Sequence, residues 1–431
     1  MLWLLYNILF TLGFILMLPR AFVRMLRRGG YARHFGQRLG WYEPGVMARL
    51  GEGDPVWVHA VSVGEVFVAL RFMDEFRQRH PGARFVLSTT TSTGHAVAES
   101  KRRDPDVLLY FPVDFPFVVR RVLKLIHPKI LVLVECELWP NLIRLARRGG
   151  IPVVLINGRI SAHSHRGYSK LRVFTRPLLA NVDLLCVQSD ADRDRLLNLG
   201  ADAARLRVVG SAKYDIAPAG EGAEANARAV LQQASVGSDR FVLLGGSTWP
   251  GEEGALLDIY RELRARHPKL FLVLVPRHAE RSGAVLREIE SRGLRAVRRT
   301  ELRNGAPAAT PEVLLVDTTG ELRGFYACAT VIFVGKSLTA RGGQNLIEPA
   351  LSGKPILVGP HMENFATVVQ DFLAADALLQ VRDREELGKA VEGLLADPSR
   401  GAAYGERAAR LVRGKAGAIQ RTLDLLASLP A

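Results

Sequence analysis

The chain has 431 residues, of which 48% are hydrophobic and 23% are charged. This length exceeds one ordinary core and this balance is globular, so two folded domains are expected and a disordered chain is excluded. Lysine and arginine outnumber aspartate and glutamate by 58 to 43, which favours anionic partners such as nucleic acid, anionic lipid or a phosphorylated substrate. Cys136, Cys186 and Cys328 lack metal-ligand spacing and are predicted to be reduced core thiols.

The N-terminal residues 2–18 carry no charge. As a helix they would measure about 26 Å, so they either span a bilayer or lie in its interface. No basic region precedes them and no small-residue cleavage site follows, which predicts an uncleaved anchor. Pro19 and a basic flank come next, namely Arg20, Arg24, Arg27, Arg28 and Arg33. This flank predicts a cytoplasmic location for the remaining chain and contacts with anionic headgroups.

Strand-like apolar runs alternate with helix-like segments from Val56 to about Lys213. The predicted strands of this part are residues 55–61, 84–90, 107–112, 129–135, 152–157, 184–188 and 206–210. The segments 138–148 and 190–199 have helical length and spacing, so a parallel sheet covered on both faces is expected.

Residues 215–236 are rich in alanine and glycine, contain Pro218, and suit a linker running into a helix. A second series of strands is predicted at residues 241–245, 270–275, 313–316, 330–334 and 355–358. The predicted architecture is two doubly wound α/β domains facing a central cleft. Its predicted boundaries are 1–28 for the anchor and basic flank, 29–214 for the first domain, 215–236 for the linker and 237–431 for the second domain.

Acidic residues follow two strands of the first domain. Glu65 comes after the small-residue turn Ser62–Gly64 and before a helix predicted over 66–79, at the sheet edge where ligands bind. Its carboxylate either serves the helix N-terminus or faces a ligand. Glu135 and Glu137 end another strand on the same side, so at least one is expected to face the same cleft. Alternatively, Glu137 caps the next helix and Glu135 pairs with an arginine, because a buried carboxylate needs a partner.

Two more polar positions end strands of this domain. Residues 157–161 form a polar edge that either grips a charged headgroup or caps a helix. Lys213 lies where the last strand meets the linker. Its side chain either faces the cleft or is exposed to solvent.

The motifs of the second domain indicate ligand binding more clearly than those of the first domain. The turn 245–253 could bring backbone amides to a phosphate or carboxylate, although it matches neither a Walker A nor a dinucleotide motif. Arg277 offers a planar fork to an anionic group, and residues 318–322 end another strand. The Gly-Gly turn in 342–350 could bring a helix N-terminus close to a phosphate. Glu348 either accepts hydrogen bonds from ribose hydroxyls or is a surface carboxylate.

Other classes of site are disfavoured. No metal-ligand motif ends a strand, so no protein-bound metal is predicted. Ser62 lacks the Gly-x-Ser-x-Gly elbow of a hydrolase, and His59 is predicted to be a buried, hydrogen-bonded core residue. Aromatic residues make up only 7% and are not interleaved with basic ones, which argues against nucleic acid.

Together these motifs resemble the 3-deoxy-D-manno-octulosonic acid (Kdo) transferases, which add Kdo from CMP-Kdo to the lipid A precursor. The resemblance covers nearly the whole chain. It includes the anchor and the motifs Ser62–Glu65, Glu135–Asn141, Gly210–Lys213, Pro276–His278, Thr319–Glu321 and Asn345–Glu348. It implies a GT-B fold, an inverting transfer with no metal or other cofactor, CMP-Kdo as donor substrate, and attachment to the cytoplasmic face of the inner membrane.

The resemblance also implies residue roles. Glu65 would be the catalytic base, and Glu135 and Lys213 would stabilise the transition state. The CMP site would comprise Pro276, Arg277, Thr319, Gly320, Glu321, Asn345, Leu346, Ile347 and Glu348. The chain has Lys336 where the family often has the second glycine of Gly-Gly-Ser, so Lys336 either contacts a phosphate or points to solvent. No role is carried over for Trp249.

Two alternatives stay open at this point. One is a GT-B transferase of envelope synthesis that uses a UDP-sugar, which binding of UDP rather than CMP would reveal. The other is a non-catalytic membrane-surface module that binds anionic lipid through the basic flank and does not need Glu65. The sequence determines neither the number of Kdo units added nor the oligomeric state.

Overall fold

The computed structural model describes residues 2–27, 34–51, 53–215, 220, 222–304 and 310–428. Contacts divide the described residues into two compact units. The first unit runs to Asp215 and includes the residues from Ala416 onward, and the second lies between them. Each unit contains a seven-stranded sheet in which every pairing is parallel.

The strands are numbered in chain order. Those of the first unit are β1 (Val56–Ala60), β2 (Phe85–Thr89), β3 (Val107–Tyr110), β4 (Ile130–Val134), β5 (Val153–Gly158), β6 (Leu184–Val187) and β7 (Leu206–Val208). Those of the second are β8 (Phe241–Thr248), β9 (Leu270–Pro276), β10 (Ala296–Arg298), β11 (Val313–Leu315), β12 (Val331–Val334), β13 (Ile356–Val358) and β14 (Leu379–Gln380). The orders are β3-β2-β1-β4-β5-β6-β7 and β10-β11-β9-β8-β12-β13-β14.

The α-helices of the described residues cover both sheets. The first nine are α1 (Leu2–Arg27), α2 (Pro44–Leu50), α3 (Val63–Arg79), α4 (Ser92–Lys101), α5 (Pro116–Ile126), α6 (Pro140–Arg148), α7 (Ala162–Ser169), α8 (Arg172–Leu179) and α9 (Asp190–Asn198). The others are α10 (Ala223–Gln233), α11 (Glu252–Arg264), α12 (Ser282–Glu290), α13 (Leu322–Cys328), α14 (Ile347–Ala350), α15 (Ala366–Ala374), α16 (Arg384–Ala396), α17 (Pro398–Lys415) and α18 (Ala418–Ala427).

The central strands are buried on both faces, as continuous apolar runs require in a parallel sheet. All residues of β1 and of β9 are buried. Each predicted strand is present, and the prediction of two doubly wound α/β domains is confirmed. The edge strands β10 and β14 were not predicted, because runs of three and two residues carry no usable pattern.

The second unit begins and ends at residues other than those predicted. Helix α18 packs in the first unit, where Ala418, Ile419 and Leu423 are buried in its core. Asp215 accepts hydrogen bonds from the backbone N–H groups at the start of this helix, including that of Ile419 at 2.6 Å. Within the predicted linker, α10 packs closely on α13 of the second unit, whereas Pro218 lies outside the described residues.

The predicted N-terminal segment forms helix α1, which packs on the first unit. Tyr6 donates a hydrogen bond from Oη to Asp114 Oδ2 at 2.8 Å, and Asn141 Nδ2 donates to Asn7 Oδ1 at 2.7 Å. In the part of the chain that the structure describes, no helix is both long and apolar enough to cross a membrane. Two arginines of the predicted basic flank, at 28 and 33, lie outside the described residues.

Candidate functional site

The strand order of the first sheet reverses between β1 and β4, because β2 and β3 lie on one side and β5 to β7 on the other. In open α/β sheets, ligands bind at the carboxyl ends of the strands beside such a reversal. β1 is followed by Glu65 and β4 by Glu135. We call Glu65, Glu135 and Glu137 the acidic edge.

Glu65 lies in the first turn of α3. Its Oε2 accepts from the backbone N–H of Val61 at 2.8 Å, and its Oε1 accepts from the Ser62 hydroxyl at 2.7 Å. Each carboxylate oxygen has two lone pairs, so each retains one for a further donor. The side chain therefore serves the helix start, as one interpretation held, and still has capacity for an acceptor hydroxyl, as the other required.

The neighbouring helix α4 fixes the turn that carries Ser62. Thr91, its N-cap, donates from Oγ1 to the backbone oxygen of Val61 at 2.8 Å. A Cβ on Gly94 would lie 2.8 Å from Thr91 Oγ1 and 3.1 Å from that same backbone oxygen, so the close approach of α4 favours glycine.

Glu135 is held by Asn157. Both residues have left-handed backbones, with φ of 61° and 51°, which is uncommon outside glycine. Asn157 Nδ2 donates to Glu135 Oε1 at 3.3 Å, and its Oδ1 accepts from the backbone N–H of Ala212 at 3.0 Å. Asn157 therefore connects Glu135 to the turn that carries Lys213. The sequence marked residues 157–161 only as a polar edge.

The carboxylates of the acidic edge act on one another. Burial, and then the charge of Glu65, raises the pKa of Glu135, while Lys213 and Arg159 oppose the rise. The pKa of Glu137 is raised to about 7, first by burial and then by the charge of Glu65. Trp139 Nε1 donates to Glu137 Oε2 at 2.9 Å. The structure thus brings Glu65, Glu135 and Lys213 into one charge cluster in the first unit.

His59 is the buried, hydrogen-bonded residue that was predicted. Its Nδ1 lies 3.0 Å from Ser88 Oγ, and its ring stacks on Phe111 with centroids 3.8 Å apart. Burial lowers its pKa to about 3, so the ring is neutral.

The strand order of the second sheet reverses between β8 and β12. The predicted turn 245–253 was expected to offer backbone amides to a phosphate or a carboxylate, but its residues 245–248 continue β8 and the turn begins only after Thr248. One amide of this turn, that of Trp249, instead faces a carboxylate of the protein itself, that of the fully buried Glu252, together with three amides from the loop after β12. It accepts from the backbone N–H groups of Trp249 and Lys336 at 2.8 Å and of Ser337 and Leu338 at 2.9 Å.

The first predicted CMP segment follows β9. Pro276 is buried at the end of the strand, and Arg277 is exposed beyond it. The backbone N–H of Arg277 donates to the backbone oxygen of Thr248 at 3.1 Å, which fixes it beside the end of β8. Arg277 thus lies at the carboxyl edge of the second sheet with an exposed side chain.

The second predicted CMP segment, Thr319 to Glu321, precedes α13. Gly320 has a φ of 89°, a backbone conformation that favours glycine. Glu321 Oε2 accepts from Arg299 Nε at 3.0 Å and from Thr318 Oγ1 at 3.1 Å. The Glu321 carboxylate therefore holds this turn in place, and Thr319 is exposed at its tip.

The third segment, Asn345 to Glu348, begins α14. Leu346 and Ile347 are buried, so they can meet a ligand only through their backbone. Asn345 Oδ1 accepts from the N–H of Ile347 at 3.0 Å. Glu348 pairs with Arg323 of α13 at 2.7 Å, which ties this segment to the one before α13.

Sequence reasoning did not identify Glu252, Arg299 or Arg323. A glutamate in the first turn of a helix was visible for Glu252, but this signal does not separate a structural carboxylate from a catalytic one. Within the described ranges, no group of three or more His, Cys, Asp or Glu side chains could hold a metal ion.

Known proteins resemble this chain along its length. The family described as 3-Deoxy-D-manno-octulosonic-acid transferase (kdotransferase) matches residues 33–216. The 3-deoxy-D-manno-octulosonic acid transferase of Bordetella pertussis is 36% identical and covers 97% of this chain and 98% of its own. That of Haemophilus influenzae is 31% identical, with 92% and 91% covered.

A solved UDP-GlcNAc 2-epimerase from Neisseria meningitidis is 14% identical, with 87% of this chain and 100% of that chain covered and a TM-score of 0.54. At this identity the likeness concerns the fold alone, and it agrees with the predicted GT-B type. The two transferases from Bordetella pertussis and Haemophilus influenzae, aligned over nearly their whole length, show the family as well as the fold. This chain belongs to the family of 3-deoxy-D-manno-octulosonic acid transferases, which are glycosyltransferases that transfer Kdo.

Proposed function

We propose that the protein transfers Kdo from CMP-Kdo to a sugar hydroxyl of the lipid A precursor, lipid IVA, with inversion at the anomeric carbon. The observation that carries this proposal is the acidic edge at the strand reversal of the first sheet. There Glu65 is buried and fixed by two hydrogen bonds, yet has lone pairs free to accept a proton.

The chemistry follows from the carboxylate. Glu65 takes the proton of the acceptor hydroxyl as that oxygen bonds to the anomeric carbon of Kdo. The bond between that carbon and the phosphate oxygen breaks, and CMP leaves with its electron pair. Attack from the face opposite the leaving group inverts the configuration. A positioned base contributes typically about 10² to 10⁴-fold in rate.

Glu135 and Lys213 are assigned to the transition state. The anomeric carbon gains positive charge as CMP departs, and a nearby carboxylate stabilises it. Lys213 lowers the pKa of Glu135, against the effect of burial, and so favours its ionised form. Asn157 is a positioning residue, because it bonds both to Glu135 and to the turn of Lys213.

CMP is assigned to the second unit, where Arg277 offers a guanidinium to the phosphate. The proposal gives this cation the task of stabilising the departing phosphate and requires no metal or other cofactor. We expect Kdo transfer to continue unchanged in EDTA. Loss of transfer in EDTA that only a divalent cation restores would contradict this part of the proposal.

The test is mass spectrometry of a tetraacylated lipid A precursor after incubation with the purified full-length protein in detergent. Parallel reactions contain CMP-Kdo, UDP-N-acetylglucosamine or no donor. A mass gain of one or more Kdo units with CMP-Kdo alone is expected, and it also counts the additions. A gain only with the UDP-sugar, or none with a folded protein, would overturn the proposal.

We also propose that α1 attaches the protein to the cytoplasmic face of the inner membrane by lying in the interface. One side of α1 packs on the first unit through the Tyr6 and Asn7 hydrogen bonds. The other side exposes large apolar side chains, namely Leu4, Leu5, Ile8, Leu9, Leu12, Ile15, Leu16 and Met17. An exposed apolar stripe on a docked helix suits insertion into one leaflet.

Flotation with vesicles containing anionic lipid tests this attachment. Leu5→Asp with Leu16→Asp is expected to abolish flotation, since both side chains are exposed and their loss leaves the packed side intact. Leu373→Asp, at an exposed leucine of the second unit, is the control and should float like the wild type. Unchanged flotation of the double variant would contradict the proposal.

A further inference from the structure

Trp249 and Lys336 lie on the two sides of the strand reversal in the second sheet. Trp249 directly follows β8, and Lys336 comes two residues after β12. These are the strand ends where an open α/β sheet binds its ligand. Neither residue belongs to the segments that the family resemblance assigned to CMP.

Lys336 has a backbone conformation that its surroundings impose. Its φ of 56° is left-handed, which is unfavourable for a side chain of this kind. Its N–H donates to Glu252 at 2.8 Å, and its carbonyl accepts from the N–H of Gly343 at 2.9 Å. Bonds on both sides therefore hold a strained residue, and such strain is characteristic of functional positions.

The Lys336 ammonium is directed onto the Trp249 ring. Its Nζ lies 4.6 Å from the ring centroid. A cation held over an indole face is oriented but keeps its positive charge. Within the described part of the chain, no carboxylate pairs with this ammonium.

The first amides after Gly335 in this loop are not free to bind an anion. Glu252 occupies the N–H groups of Lys336, Ser337 and Leu338. An anionic ligand at residues 336–338 must therefore be met by side chains, and the Lys336 ammonium is the cation that these three residues present. The buried Glu252 has its own hydrogen bonds and does not need Lys336 as a counter-ion.

Residues next to two predicted CMP segments flank this pair. The Trp249 ring contacts the edge of His278, next to Arg277, with centroids 5.6 Å apart. On the other side, Lys336 Nζ lies 3.5 Å from the place a Cβ on Gly342 would take, in the turn that leads to Asn345. The ammonium thus stands between a segment that presents an arginine and a glycine turn.

We propose that Lys336 binds an oxyanion of the sugar-nucleotide donor and that Trp249 positions its ammonium. The proposal rests on the proposed function, which supplies the donor. Two groups of CMP-Kdo have the required chemistry, the phosphate and the Kdo carboxylate. In either case, Lys336 adds a charge-assisted hydrogen bond that a glycine at this position could not make.

The test uses calorimetric titration of the full-length protein with CMP and with cytidine, together with the KM for CMP-Kdo. The variants are Lys336→Gly, Lys336→Arg and the control Lys389→Gln, which alters an exposed lysine of the same unit. Glycine accepts the left-handed backbone without strain, so Lys336→Gly removes the charge and keeps the loop. Far-UV circular dichroism checks that each variant is folded.

A CMP Kd raised about tenfold or more in Lys336→Gly, with cytidine binding unchanged and CMP binding rescued by arginine, would identify the phosphate. An unchanged CMP Kd with a similarly raised KM for CMP-Kdo would identify the Kdo carboxylate. Values within twofold of the wild type for both ligands would overturn the inference alone. Failure of the wild type to bind CMP would overturn both this inference and the proposed donor.

The positioning role of Trp249 has its own test. Trp249→Leu is expected to weaken CMP or CMP-Kdo binding a few-fold in the wild type and to have no further effect in Lys336→Gly. This loss of additivity is what two residues acting through one contact produce. An equal effect of Trp249→Leu in both backgrounds would show that the indole acts only on the structure.

Discussion

Each unit places a glutamate in the first turn of the helix that follows its central strand, Glu65 in α3 and Glu252 in α11. Two donors face the Glu65 carboxylate, the N–H of Val61 and the hydroxyl of Ser62. Four backbone N–H groups face that of Glu252 and use its full capacity. The number of donors, rather than the residue or its place, separates a carboxylate that can take a proton from one that holds two loops together.

The surroundings of the two reversals differ in sign as well. The first gathers Glu65, Glu135 and Glu137, where burial and then mutual repulsion raise the pKa values of Glu135 and Glu137. The second presents Arg277 and Lys336 around a buried, fully bonded carboxylate. An acidic edge suits a base and a developing cation, and a basic edge suits a departing phosphate.

The largest expected effect is that of Glu65→Gln. It should lower kcat by about 10² to 10⁴-fold, because the amide keeps the shape but cannot take a proton. Thermal unfolding should stay close to that of the wild type. Glu99→Gln, at an exposed glutamate of the same unit, is the control and should retain full activity. A kcat within threefold of the wild type would remove Glu65 as the base.

Glu252→Gln should act on stability instead. The amide offers one acceptor oxygen and turns its NH₂ group toward N–H donors, so buried donors lose their partners. We expect the free energy of unfolding to fall by about 3 kcal/mol, measured by urea denaturation. Glu385→Gln, at an exposed ion pair, should change it by only about 0.5 kcal/mol. Equal losses of unfolding free energy in both variants would contradict the role of Glu252 in holding the two loops together.

Asn157→Asp tests the connection between Glu135 and the turn of Lys213. Aspartate keeps an acceptor for Ala212 but loses the donor to Glu135 and adds a negative charge. We expect kcat to fall about tenfold through misplacement of Glu135. The added charge should also raise the pKa of Glu135 and move the acidic limb of the pH–kcat profile to higher pH. A lower kcat with an unmoved profile would indicate a purely structural residue.

Glu137→Gln should give the smallest effect, one that depends on pH. The folded-state pKa of Glu137 is raised from 4.5 to about 7, so the stability gained from its protonated form is present below pH 4.5 and lost as the pH rises through 7. Glutamine never ionises. The variant should therefore gain on the wild type between pH 5 and pH 8, by about 1 kcal/mol in urea denaturation once the full linkage value is reduced for the partial solvent exposure of Glu137. A stability advantage of the variant that decreases between pH 5 and pH 8 would contradict a raised pKa of Glu137.

Much of the fold was predictable because the central strands are short apolar runs bounded by turn residues, a pattern typical of parallel strands buried on both faces. The acidic edge was predictable for the same reason, since Glu135 directly follows such a run and Glu65 follows another after a short turn. The role of Glu252 was not, because its partners Lys336 to Leu338 lie far along the chain and only the fold brings their amides together. The return of α18 to the first unit depends likewise on Asp215, whose bonds to residues 417–419 no local pattern reveals.

Calorimetric titration of CMP into Glu65→Gln and Glu252→Gln is the sharpest test of this division of roles. We expect Glu65→Gln to bind CMP with the wild-type Kd while its Kdo transfer is lost. We expect folded Glu252→Gln to bind CMP markedly more weakly, because the loop of Lys336 is no longer held. CMP binding weakened equally in both variants, or weakened only in Glu65→Gln, would contradict the division.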